Sequence, residues 1–265
     1  MSVEVQLREL LDAGVHFGHQ VRRWNPKMRP FIFGERNGVH IVDLQKTQQL
    51  FNSALDHIEK AVADGGSVLF VATKKQAQDI IIQEAERASM YHVHHRWLGG
   101  MLTNFATVKM SIQKLKRIEK MKVDGTYESL TKKEVSLKER LREKLERSLG
   151  GIKNMNGIPS VVFVIDSRKE ATAITEARRL GIPVIGVTDT NSDPSGIDYV
   201  IPGNDDSLKA IQLYASRVAD ACIAGKQRRR SESNRSDEGS ISTDGGRSQV
   251  KVKRLKSRDE EETQK

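Results

Sequence analysis

Apolar positions along this chain follow two alternating periods. Residues 68–72 (VLFVA) and 161–165 (VVFVI) are unbroken apolar runs, the composition of short strands buried on both faces. Pro183 to Val187 and Tyr199 to Ile201 predict two further strands. Between the strands the apolar spacing lengthens to three and four. Leu50, Ala54, Ile58 and Val62 lie on one helical stripe that stops at Gly65-Gly66, and Leu208, Ile211, Ala215, Val218 and Cys222 lie on another over 206–224, with Gly225 as its stop. Thr73 with Gln76, and Ser167 with Glu170, have the spacing of capping boxes that open helices directly after strands; Gly181 closes the second of these helices. Residues 31–42, FIFGERNGVHIV, place two apolar runs around Asn37-Gly38 and predict a hairpin. Strands alternating with helices of this length predict an α/β fold, a parallel sheet with helices on both faces.

Residues 105–149 break the alternation. Two helical runs joined by Val123-Asp124-Gly125-Thr126 carry narrow stripes, Phe105, Val108, Ile112, Leu115, Ile118 and Met121 on the first and Leu137, Leu141, Leu145 and Leu149 on the second, behind a capping box of Thr131 and Glu134. Charge covers the remaining surface, so the segment reads as an antiparallel coiled-coil hairpin that protrudes from the sheet domain. From Lys226 on, Ser, Arg, Glu and Gly dominate and large apolar residues are scarce, the composition of a disordered tail. The predicted organisation is therefore a discontinuous α/β domain (1–104 and 150–225), a hairpin (105–149) and a tail (226–265).

Charge changes the picture from fold to partner. The 265 residues carry a net charge of +9, and the excess is confined to three segments. Residues 20–36 hold five bases against one acid, 105–150 thirteen against seven, and 226–265 twelve against eight. Such localised basicity suits contact with a phosphate backbone. The loop from His16 to Arg36 interleaves Arg22, Arg23, Lys27 and Arg29 with Trp24, Phe31, Pro26 and Pro30, a mixture of cations, stacking surfaces and stiff backbone suited to irregular RNA. Cys222 is the single cysteine and sits on a core-facing stripe, so neither an internal disulfide nor a thiolate metal cage can form, which points to a reducing compartment. No window approaches a membrane span and the first residues lack a basic region before an apolar core, so a soluble, cytoplasmic-type protein is expected.

Enzymatic readings find little support. Neither GxGxxG nor GxxxxGK followed by Ser or Thr occurs after a strand. Asp166, Asp189 and Asp193 stand at strand ends, where a phosphosugar- or nucleotide-binding enzyme would use them, but the same residues cap and turn the chain without any chemistry. His16, His19, His92, His94 and His95 have no cysteine partners and no helical HExxH, so neither a metal nor a cofactor is assigned.

Several long motifs carry a more specific signal. AGVHFGHQ (13–20), RRWNPKMRPFIFGERNGVHIVDLQKT (22–47) and HRWLGGMLTN (95–104) occur in that order. They are followed by LTKKE (130–134), LGGIKNMNGIP (149–159), LGIPVIGVTDTNSDP (180–194) and VIPGNDD (200–206). Over about 225 residues this chain resembles the bacterial-type ribosomal protein S2 family. The tail after 226 matches no motif of that family. The resemblance implies a Rossmann-like sheet with a protruding coiled coil and no catalysis. It further implies binding to 16S-type ribosomal RNA and to other small-subunit proteins, late entry into subunit assembly, and help in anchoring the large, multi-domain mRNA-binding protein of the 30S subunit. Ribosome-bound location in the cytoplasm follows, with an organellar origin left open. Charge map and resemblance together predict phosphate contacts at Arg22, Arg23, Lys27, Arg29, Arg96, Lys109, Lys116 and Arg117, with His16, Trp24, His95 and Trp97 organising the junction of loop and sheet; all twelve form the predicted rRNA-binding set. Two other classes stay open on sequence alone: the enzyme at the three aspartates, and a regulatory RNA-binding protein free of ribosomes.

Overall fold

The computed structural model describes residues 4–239. The chain divides into a unit of residues 1–230 and a second of 231–265; the architecture that follows is that of the first, apart from the last residues of α7, 231–239, which belong to the second. Its elements are α1 (Leu7–Asp12), β1 (Phe17–Gln20), β2 (Ile32–Arg36), β3 (Val39–Val42), α2 (Leu44–Ala63), β4 (Val68–Val71), α3 (Lys75–Arg87) and β5 (Tyr91–Val93). They continue with α4 (Phe105–Val123), α5 (Lys132–Leu149), β6 (Val161–Ile165), α6 (Ala171–Arg179), β7 (Val184–Thr188), β8 (Tyr199–Pro202) and α7 (Leu208–Gly239).

Five strands form a parallel sheet in the order β5-β4-β6-β7-β8. Their apolar runs are continuous because alternate residues enter different cores. Val68, Phe70, Val161, Phe163 and Ile165 join residues of α2, α3 and α7 on one face, whereas Leu69, Val71, Val162 and Val164 join α6 and the segments flanking α4 and α5 on the other. Phe70 and Phe163, directly paired across β4 and β6, meet edge to face with ring centroids 5.6 Å apart. Outside this sheet, β1, β3 and β2 make a small antiparallel one. Its β2–β3 turn places Asn37 and Gly38 at φ 54° and 75°, the conformation that the Asn-Gly pair predicts. Sequence patterning did not reveal β1, which lies in the segment read as loop, or the three-residue β5.

Helices α4 and α5 pack on each other; Leu115 and Ile118 are buried on α4, while Ile112 and Leu149 join the core on the second face of the sheet. The Thr131–Glu134 capping box forms as expected. The other two boxes do not. The Thr73 N–H and hydroxyl both donate to Glu170, whose carboxylate thereby leaves its own helix N-terminus, and α3 begins with Lys74 as an N-cap that makes no side-chain bond to the helix. A buried partner on the adjacent strand end replaces the local one.

Gly225 is also not a stop. The helix runs through it to Gly239, so residues 226–239, expected to be disordered, are helical; residues 240–265 of the expected tail lie outside the described residues. The reason is steric. A Cβ at Gly225 would lie 2.6 Å from the Glu59 carbonyl oxygen and 2.9 Å from Val62 Cβ, so the glycine permits α7 to approach α2. One residue on, Lys226 Nζ donates to the carbonyls of Ala88 and Ser89 at 2.7 and 3.0 Å, a cation at the C-terminal end of α3.

Gly225→Ala separates the two roles. An alanine raises helix propensity by about 1 kcal/mol, but a close approach to backbone makes the substitution destabilising by about 1–3 kcal/mol. Urea unfolding of the variant is expected to show a lowered midpoint; an unchanged or raised midpoint would contradict the packing role.

Candidate nucleic-acid interface

The basic N-terminal loop is pinned to the end of the large sheet. Gly18 lets β1 lie against Thr190, since a Cβ there would sit 2.6 Å from Thr190 Cγ2. The His19 N–H donates to Thr190 Oγ1 at 2.9 Å and the Asn25 N–H to the Thr190 carbonyl at 2.8 Å. Asn25 Oδ1 caps the short 3-10 helix Pro26–Phe31, and Met28 is wholly buried beneath it. Lys27 Nζ pairs with Asp193 at 2.7 Å and reaches Ser195 Oγ at 3.0 Å. The Lys27 hydrogen bond, with a second from the Ser195 N–H, pulls the Asp193 carboxyl down to about 2. Lys27 therefore anchors the loop, while Arg22, Arg23 and Arg29 stay exposed on a fixed backbone. Trp24 is half-buried, its ring 5.3 Å from that of His40.

A second anchor organises residues 97–103. One carboxylate, Glu176 on α6, accepts from Trp97 Nε1 and Gly100 N–H through Oε1, and from the N–H groups of Leu102 and Thr103 and the Thr103 hydroxyl through Oε2, all between 2.8 and 3.1 Å. Burial opposes its charge, but these hydrogen bonds prevail and hold its pKa below the ordinary 4.5. Trp97 is thus a buried support, 9% exposed, whereas His95 and Arg96 before it are exposed. The segment leads into α4, where Lys109, Lys116 and Arg117 are exposed beside the buried stripe. His16 is half-buried with its ring 4.0 Å from Phe17, and burial lowers its pKa. The twelve residues do not converge on one point; they lie on the N-terminal loop, the turn before α4 and α4 itself.

The strand-end aspartates of the enzyme reading are all engaged. Lys74 Nζ pairs with Asp166, Asp205 and Asp206 at 3.3, 2.7 and 2.6 Å, and His19 pairs with Asp189 at 3.0 Å and Asp206 at 3.4 Å. Burial and the neighbouring Asp189 and Asp166 charges push Asp205 up to about 7, and the Asp189 hydrogen bond raises His19. Between β4 and β6, where strand order reverses and doubly wound folds bind ligands, the Glu170–Thr73 tie and a Lys169 Nζ bond to the Thr73 carbonyl at 3.0 Å bridge the crevice. Of the remaining histidines, His92 and His94 touch each other, and burial drives His92 down to about 4.

Glu176 escaped the sequence reading, as did Lys74. For Glu176 a signal exists: it falls among Ala173, Ile174 and Ala177, the buried face of α6, and an acid on an apolar stripe demands partners. Lys74 carries no comparable signal, because its aspartates come from the loops after β6 and β8, far along the chain.

A carboxylate held below its ordinary pKa binds its proton at lower pH in the folded chain than in the unfolded one. It therefore stabilises fully above that ordinary value, and the contribution is lost as pH falls through the folded pKa. Glu176→Gln is expected to cost about 2 kcal/mol near neutral pH, with the gap to wild type closing in acid as the pH falls below the ordinary carboxylate range. Urea midpoints near neutral pH and in acid check this; a gap that persists in acid would contradict the ionised-hub account.

Residues 10–225 match the family described as Ribosomal protein S2. The small ribosomal subunit protein uS2 of Sorangium cellulosum (strain So ce56) is 57% identical over 243 residues, covering 92% of this chain and 86% of its own. Those of Geotalea uraniireducens (strain Rf4) and Maridesulfovibrio salexigens are 58% and 56% identical, covering 85% and 86% of this chain and 88% of each relative. With its motifs in family order, its basic loops presented on fixed backbone and its strand-end crevice bridged, the chain belongs to the ribosomal protein S2 family, whose members are structural and not enzymes.

Proposed function

We propose that this chain is a structural constituent of the small ribosomal subunit, the assembly named in its relatives. In this reading it binds 16S-type ribosomal RNA and neighbouring ribosomal proteins. It enters late in subunit assembly, helps to anchor the large, multi-domain mRNA-binding protein, and supports translation on cytoplasmic ribosomes. The observation that carries the RNA contact is the exposed trio Arg22, Arg23 and Arg29 on a turn held by Thr190, Asp193 and buried Met28. Cations fixed in place lose less entropy on meeting phosphates than cations on a free loop.

Arg96, Lys109, Lys116 and Arg117 extend the interface along the turn before α4 and α4 itself, with His16, Trp24 and His95 as polar or stacking neighbours. Lys27 and Trp97 belong to the set as supports, one holding the loop and the other the 97–103 turn. The 105–149 hairpin is read as an antiparallel coiled coil reaching from the α/β domain formed by 1–104 and 150–225, so that the two basic regions meet separate RNA elements.

Arg22→Glu with Arg23→Glu tests the loop. Withdrawing one cation from a phosphate flattens the slope of log affinity against log salt by about 0.9, so the double variant is expected to bind ribosomal RNA weakly and with a slope about 2 smaller. Filter binding across a salt series, with incorporation into reconstituted subunits, reads both. Unchanged affinity and slope would remove the loop from the interface.

A further inference from the structure

Beside the pinned loop lies a cleft of about 670 Å³ that neither the strand-end aspartate cluster nor the 97–103 turn accounts for. Its walls are the turn Arg23 to Pro26, the loop before α6 with the outer face of that helix, and the loop from Asn191 to Ser195. Three guanidinium groups line it, Arg23, Arg168 and Arg178. All three are exposed, and among the described residues none of these side chains has an ion-pair or hydrogen-bond partner. The one carboxylate in the lining, Asp193, is already neutralised by Lys27. The cleft is thus a concentration of unspent positive charge.

Two further observations point to an anion. Ser167 is 4% exposed and lines the cleft, yet its buried hydroxyl has no hydrogen-bond partner in the structure. Buried hydroxyls are rarely left without one. The N-terminus of the nine-residue α6, whose Ala171 also lines the cleft, receives no side-chain cap, because Glu170 is spent on Thr73. Uncapped helix N–H groups and the helix dipole favour a bound phosphate. Trp24 supplies an aromatic surface in the same wall.

We propose that this cleft binds one nucleotide unit, its phosphate held by Arg23, Arg168, Arg178 and the start of α6, and its base laid against the Trp24 indole. A concave site walled on three sides suits a nucleotide splayed out of a single strand rather than a duplex backbone. The occupant is accordingly an unpaired nucleotide of RNA, which rests on the RNA-binding reading above; a free nucleoside monophosphate has the same chemistry and is separated from it by the test.

Titrate the full chain with a uridylate pentamer, with UMP and with inorganic phosphate, following tryptophan fluorescence and the anisotropy of labelled pentamer. In wild type the pentamer is expected to quench Trp24, a signal absent from Trp24→Phe. Arg168→Ala with Arg178→Ala is expected to weaken binding about tenfold or more, and Arg178→Lys less, with melting temperature unchanged because both side chains are exposed. If UMP binds as tightly as the pentamer and its binding disappears in the same variants, the cleft stands with a free nucleotide as occupant. If the arginine pair leaves pentamer affinity and quenching intact while Arg22→Glu, outside the cleft, reduces affinity, the cleft is overturned and the loop interface survives. If neither variant has an effect, both fall.

Discussion

The bond on which this structure turns joins Glu170 to Thr73. A carboxylate placed to cap its own helix instead crosses to the end of the neighbouring strand, where burial raises its pKa and the Thr73 hydroxyl and N–H hold it. Lys74, next along the chain, adds ion pairs to Asp166, Asp205 and Asp206. In an open α/β sheet the point between these strands is where a ligand would enter. Bridging it turns a potential active-site crevice into a structural joint. In the proposed reading, RNA contact then falls to the rim, to loops that carry charge outward.

Rim loops recognise a polyanion well only if they are ordered beforehand, and the two basic loops here each have their own fastening. The N-terminal turn is held by backbone bonds to Thr190 and by Lys27 on Asp193; the turn before α4 is held by five donors on Glu176. In both cases a buried or low-pKa carboxylate organises backbone so that neighbouring arginines and lysines remain unspent. On these two loops, acids fasten the backbone and the neighbouring bases face outward.

Much of this was legible in the sequence where the cause is local. Continuous apolar runs marked β4 and β6, the Asn-Gly pair marked its turn, and Thr131 with Glu134 marked the start of α5. Where the cause is tertiary, local grammar misled. Thr73–Gln76 and Ser167–Glu170 have capping-box spacing, yet Thr73 and Glu170 bond to each other across the sheet instead. Gly225 has the position of a helix stop, yet serves as the contact between α7 and α2. The basic residues of the proposed interface stand out by type and clustering; that Lys27 fastens the loop was not legible, because Asp193 lies far along the chain, and Trp97, expected at the junction of loop and sheet, has its partner in the equally distant Glu176.

If this α/β body works as a component of the small ribosomal subunit, it must travel with that subunit. Sedimentation of a cell lysate through sucrose gradients at low and high salt, following the chain by immunoblot, reads this. Co-migration with small subunits and polysomes that weakens as salt rises is the expected result. Accumulation at the top of the gradient at both salt concentrations would contradict it.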